Sequence, residues 1–259
     1  MRRTFGVLAS VMLVSAPAWA DITLTSKMTG KMAGGDGTTQ VVKIKGSKMR
    51  SDTTRGNGGD MTSTIFDVDA GKMIVLDHKK KEAIVLDSAA IVETMGKTGT
   101  SIDVKTDLKP TSEKKQVAGY DCTVYDTNVT VTMSPGEGMN MQLAVTGPAC
   151  LSANAPGKAE YEQFYAAALA KGFFFTDPRA AKAQPGMAKA MAEASRKWAE
   201  AGVPLSSTTT MKFEGAGFMS GMMNKMMGGS TTTELTKVDT ASITDTEFAT
   251  PAGYKVKTP

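Results

Sequence analysis

Short apolar runs alternate with clusters of turn residues from Ile22 to Leu86, the pattern of an antiparallel meander. Residues 22–28, 39–45, 47–54, 61–68 and 72–76 read as strands. Gly34-Gly35-Asp36-Gly37, Gly56-Asn57-Gly58-Gly59-Asp60 and Asp69-Ala70-Gly71 separate them and supply residues that tolerate positive φ. Met73-Ile74-Val75-Leu76 and Ala83-Ile84-Val85-Leu86 flank a charged tip, Asp77-His78-Lys79-Lys80-Lys81, and predict a hairpin. Residues 88–95 suit one or two helical turns. Strands are then expected at 101–107, 115–118 and 122–133. The turn Ser134-Pro135-Gly136-Glu137-Gly138 leads into another at 139–145, which runs on towards Cys150.

The period then changes. Tyr161, Phe164, Tyr165, Ala168 and Leu169 recur at i, i+3, i+4, i+7 and i+8, which places them on one face of a helix ending at Gly172. Asp177 and Pro178 suit an N-cap and first helical position, and the helix they open is interrupted at Pro185. Met187, Met191, Ala194 and Trp198 predict a second amphipathic segment closed by Gly202. Strand character returns at 204–213 and 231–238, and the tail from Phe248 to Tyr254 holds an apolar anchor and a turn. The expected fold is α+β: about ten or eleven antiparallel strands with two or three helices, in one domain over 21–259 with a helical insert at 156–201.

The first twenty residues do not belong to this pattern. Arg2 and Arg3 precede an apolar run from Phe5 to Val14, and Ala18-Trp19-Ala20 has the small-x-small form of a cleavage site, so residues 1–20 read as a signal peptide removed before Asp21. The apolar run falls short of the roughly twenty residues that cross a bilayer. Arg2-Arg3-Thr4-Phe5 partly fits a twin-arginine signal, but no cofactor site calls for export in the folded state. No cysteine lies at the cleavage site to carry a lipid. The expected location is the periplasm or the exterior. Thirty basic residues against 26 acidic ones shrink to an excess of about two once Arg2 and Arg3 are gone, and nucleic-acid binding needs a clustered excess.

In an oxidising compartment the two cysteines, Cys122 and Cys150, read as one disulfide tying the start of one strand to the end of its neighbour. His78 is the sole histidine and is expected as a solvated turn residue, which leaves nucleophilic catalysis without a base and zinc without ligands. Gly96-Lys97-Thr98-Gly99-Thr100 lacks the spacing of a phosphate loop. No convergent acid, base and nucleophile emerge, so neither an enzyme nor a cofactor is expected. The unusual feature is Met219, Met222, Met223, Met226 and Met227, a single thioether face if helical. Three readings are open: an amphipathic helix packed on the core; a pliable lid over an apolar cavity or a peripheral membrane contact; or a Cu(I) site.

Several segments carry a family likeness. Val41-Val42-Lys43-Ile44-Lys45-Gly46-Ser47-Lys48-Met49-Arg50, Phe66-Asp67 with Lys72-Met73-Ile74-Val75-Leu76-Asp77, Ala118-Gly119-Tyr120-Asp121-Cys122 and the closing 248–254 stretch resemble the DUF4412 family of exported bacterial proteins. That family is in turn distantly similar to the lipoprotein carriers LolA and LolB. The resemblance implies an incomplete, strongly curved antiparallel barrel whose mouth is closed by helices over an apolar cavity, and a lipid or acyl chain as ligand. The function expected is therefore an exported, non-enzymatic module for a hydrophobic ligand. A Cu(I)-binding protein using the methionines, or a structural or interaction protein of the envelope, stands as the alternative.

Overall fold

The computed structural model describes residues 21–31, 37–56, 59, 61–87, 101–134, 141–171, 173, 185–215 and 217–258. The signal segment, the expected turns at 88–95, the 96–100 loop and the Asp177-Pro178 cap lie outside them. One sheet holds twelve strands: β1 (Ile22–Gly30), β2 (Thr38–Lys45), β3 (Lys48–Arg55), β4 (Met61–Asp67), β5 (Lys72–Asp77), β6 (Glu82–Asp87), β7 (Ser101–Val117), β8 (Tyr120–Ser134), β9 (Met141–Ser152), β10 (Val203–Gly215), β11 (Gly229–Asp239) and β12 (Lys255–Lys257). Their order is β12-β6-β5-β4-β3-β2-β1-β11-β10-β9-β8-β7. Every pair is antiparallel except β12 on β6. The helices are α1 (Lys158–Ala170), α2 (Pro185–Ala201) and α3 (Phe218–Met227).

The sheet is open and curved. β7 and β11 lie four places apart, about 19 Å in a flat sheet, yet their Cα atoms approach within 8 Å. The roll brings residues from distant strands into one core: Ile22, Ile44, Phe66, Met73, Val124, Leu205 and Leu235 join Tyr161, Phe164 and Ala168 of α1 and Ala199 of α2. A smaller cluster of Val129, Val131, Leu143, Val145 and Phe213 sits under Ala194 of α2. α1 and α2 thus occupy the inside of the curl.

The described residues form twelve strands against the ten or eleven expected, and the elements differ from the expectation in two places. Runs read separately at 101–107 and 115–118 belong to one long β7, which crosses a register shift between Pro110 and Lys114. The three-residue β12 is too short to leave a periodic signal and exists because the tail is held elsewhere. Residues 240–258 cross the outer face of the sheet, where Ile243 and Phe248 pack on Ile65, Leu76 and Ala83. That cover explains the uninterrupted Met73-Ile74-Val75-Leu76 run: Met73 faces the helices while Leu76 faces the tail, and a strand buried on both faces has no polar side to show.

Cys122 and Cys150 form a disulfide between the start of β8 and the end of β9, with their Cα atoms 5.4 Å apart. Both sulfurs lie in the main core.

Candidate functional site

Between the inner face of the sheet and the helices lies a cavity of about 210 Å³. Its floor is strand: Leu24 and Ser26 of β1, Gln40 and Val42 of β2, Pro204 to Ser207 of β10 and Thr233 of β11. Its roof is Tyr161 and Tyr165 of α1 and Trp198 of α2. Alternation along each strand sends every second side chain inward, so Leu24/Ser26 and Gln40/Val42 enter together. The lining is therefore mixed rather than uniformly apolar. α1 starts at Gly157, whose left-handed φ of 79° turns the chain beside Ile22; a Cβ there would overlap the Ile22 side chain.

The polar groups of the roof are unequally satisfied. The Tyr161 and Tyr165 hydroxyls share a hydrogen bond, and the rings lie 4.7 Å apart, centroid to centroid. Burial pushes both phenols above their ordinary range. The Trp198 Nε1–H is buried with no hydrogen-bond partner. A buried donor without an acceptor costs roughly 1–3 kcal/mol.

A second polar centre lies on the outer face. His78 occupies the β5–β6 tip as expected, but it is half-buried and both ring nitrogens are engaged. Its Nδ1 is 2.6 Å from the Tyr254 hydroxyl and its Nε2 2.6 Å from Ser63 Oγ. Ser63, wholly buried, donates to Asp52, and Arg50 bonds Asp52 at 2.8 Å and the Glu247 carbonyl at 2.8 Å. The Nε2–H tautomer satisfies the chain: Tyr254 donates to Nδ1, Nε2–H donates to Ser63, and Ser63 donates to Asp52. These residue types suggest a serine triad, but the connectivity differs. Asp52 touches the serine and not the imidazole, and the serine proton points to the carboxylate. The cluster fastens the tail to β3, β4 and β5. Asp52, Ser63 and His78 share a face at alternate strand positions, a signal present in the sequence; that Tyr254 returns from 176 residues away is not.

Residues 24–146 match the family profile of DUF4412, a domain of unknown function. That segment of the chain belongs to the DUF4412 family. The match runs from β1 into β9, so this DUF4412 segment supplies the Leu24, Ser26, Gln40 and Val42 side of the cavity and the whole Arg50-Asp52-Ser63-His78 row. Tyr161, Trp198 and Tyr254 come from beyond it. Among curated proteins none matches the chain. Two solved structures of PNGF-II, in C2 and P21 crystal forms, are similar at 10% and 9% identity, both with TM-score 0.29. Each covers 93% of this chain, which spans 31% and 32% of their length. A likeness that slight carries no argument.

The methionine segment, outside the family match, is helical as its period predicts, yet α1 and α2 roof the cavity. α3 sits at the far end of β10, about 20 Å from Ser207 by strand rise. Asn224 pins it, donating from Nδ2 to the Phe213 carbonyl and accepting from the Phe213 N–H, both at 2.7 Å. Met223 packs on the Phe213 cluster. Met222 and Met226 are exposed; the Met219 and Met227 side chains lie outside the described residues. Among the described residues no group of three His, Cys, Asp or Glu is placed to hold a metal. No described helix is long and apolar enough to cross a membrane.

Proposed function

We propose that the protein is an exported, non-enzymatic binding module that takes one end of a lipid or acyl chain into the cavity beneath α1 and α2. The carrying observation is the cavity wall itself, where Leu24, Val42 and Leu205 share one space with Tyr161, Tyr165 and Trp198. An apolar chain end would cover the leucines and the aromatic roof. The volume, about 210 Å³, lies below the roughly 300–1,000 Å³ of drug-sized pockets. It suits a chain terminus or a headgroup rather than a whole lipid. A LolA-like incomplete barrel is part of this reading, supported by the open, rolled sheet with helices inside the curl. Export is the other part, supported by the Cys122–Cys150 bridge, since such bonds persist in oxidising compartments.

Organic extraction of purified protein followed by mass spectrometry is expected to release a lipid. A fluorescent fatty acid should bind and be displaced by unlabelled chains. Trp198→Phe cuts back the aromatic roof and should weaken that binding by about 2- to 10-fold. Protein that is empty on extraction and takes up no acyl probe would refute the proposal.

A further inference from the structure

We propose that α3 and the rim around it dock on a bilayer that carries anionic lipids. The helix presents Phe218, Met222 and Met226 to solvent at i, i+4 and i+8, and they are 89%, 46% and 69% exposed. A helix that had merely slipped from its seat would expose such residues too, but α3 is seated: Asn224 holds both backbone groups of Phe213, and Met223 fills the cluster beneath. The apolar side therefore faces outward by construction, and large exposed apolar patches mark interaction surfaces.

Charge chooses the occupant. Residues 216–229 contain no acidic side chain, and exposed Lys225 lies on the outward side. Lys31 donates to the carbonyls of Lys225 and Gly228, both at 2.9 Å, which fixes a second cation at the helix C-terminus. Strand register puts other ends on the same rim: Gly30 lies opposite Thr231, Thr38 opposite Arg55, and Thr54 opposite Met61. Lys31 and Lys225 thus stand beside the Phe218-Met222-Met226 ridge, and exposed Arg55 and Met61 lie farther along the same rim. Glu214, the acid preceding the helix, is bonded to Lys212. Apolar side chains flanked by two lysines match the two parts of an anionic interface, acyl chains and phosphates. The cavity ligand plays no part in this inference.

Flotation of the purified protein with phosphatidylglycerol/phosphatidylcholine vesicles tests it. Binding is expected, at least about tenfold stronger than to phosphatidylcholine alone and reduced by 0.5 M salt. The triple variant Phe218→Gln, Met222→Gln, Met226→Gln should fold with an unchanged melting temperature and lose flotation. Lys225→Glu should weaken binding to the anionic vesicles only, and Phe218→Trp should blue-shift its emission on them. Absence of flotation, or flotation untouched by the triple variant, overturns the proposal. So does a concentration-dependent dimer that the triple variant dissolves, which would give the ridge to a second copy of the chain.

Discussion

His78 has a neutral ring held between a phenol and a serine, and its environment resists a second proton. Burial is the main reason its pKa falls below the usual 6.5, with Arg50 adding to it against the pull of Asp52 and Asp77. The sign follows from linkage. Below about pH 6.5 an unfolded chain binds this proton more readily than the folded one, so the stabilisation is complete above that pH and is lost as pH falls towards the depressed folded value. Melting temperature is expected to decline between about pH 7 and pH 5. His78→Gln should flatten that slope and, at pH 7.5, cost about 1 kcal/mol for the lost Tyr254 bond. Tyr254→Phe should cost about as much while keeping a pH slope. Thermal unfolding across pH checks all three.

Two glycine- or asparagine-sized details set whole elements. Gly157 admits α1 because its φ is positive and Ile22 fills the space where a Cβ would stand. Gly157→Ala should destabilise by about 2 kcal/mol or more, by backbone strain and overpacking together, measured by denaturant unfolding. Asn224 plays the corresponding part for α3, replacing a strand partner for Phe213 with its side-chain amide. Asn224→Ala leaves both backbone groups of Phe213 short of a partner and should cost about 1–3 kcal/mol; proteolysis near residues 216–229 should accelerate. The heptad-like methionine spacing made the helix legible. It could not say which side would face inward, because a thioether stripe is equally good as core or as surface, and Asn224, beside that stripe, settled the orientation.

Across the molecule, one bridge and one tail hold a wide open sheet together. The disulfide closes a 28-residue separation in the main core, which by loop entropy contributes about 3–4 kcal/mol. Replacing both cysteines with alanine should lower the melting temperature by roughly 10 °C in a chain of this size. The tail binds the other face through Lys43–Glu247 at 2.8 Å, Lys45 on the Ile243 carbonyl at 2.7 Å, and the Ile243 and Phe248 side chains. Its last strand runs parallel to β6.

What the sequence determined by itself is local. Period-two runs, glycine turns and the Tyr161-to-Leu169 stripe placed most strands and α1, because side-chain alternation and helical spacing are properties of a few consecutive residues. The likeness to DUF4412 was also legible, as short segments in order. The tertiary structure decided the rest: the roll that brings β7 to β11, the meeting of Trp198 with Leu24, and the capture of His78 by Tyr254. Each joins residues far apart in the chain, and such contacts arise only once packing and hydrogen bonding close the loops between them. His78 shows the difference most plainly. Its neighbours in sequence are lysines in water, while its neighbours in space are a buried serine and the ring of a returning tail.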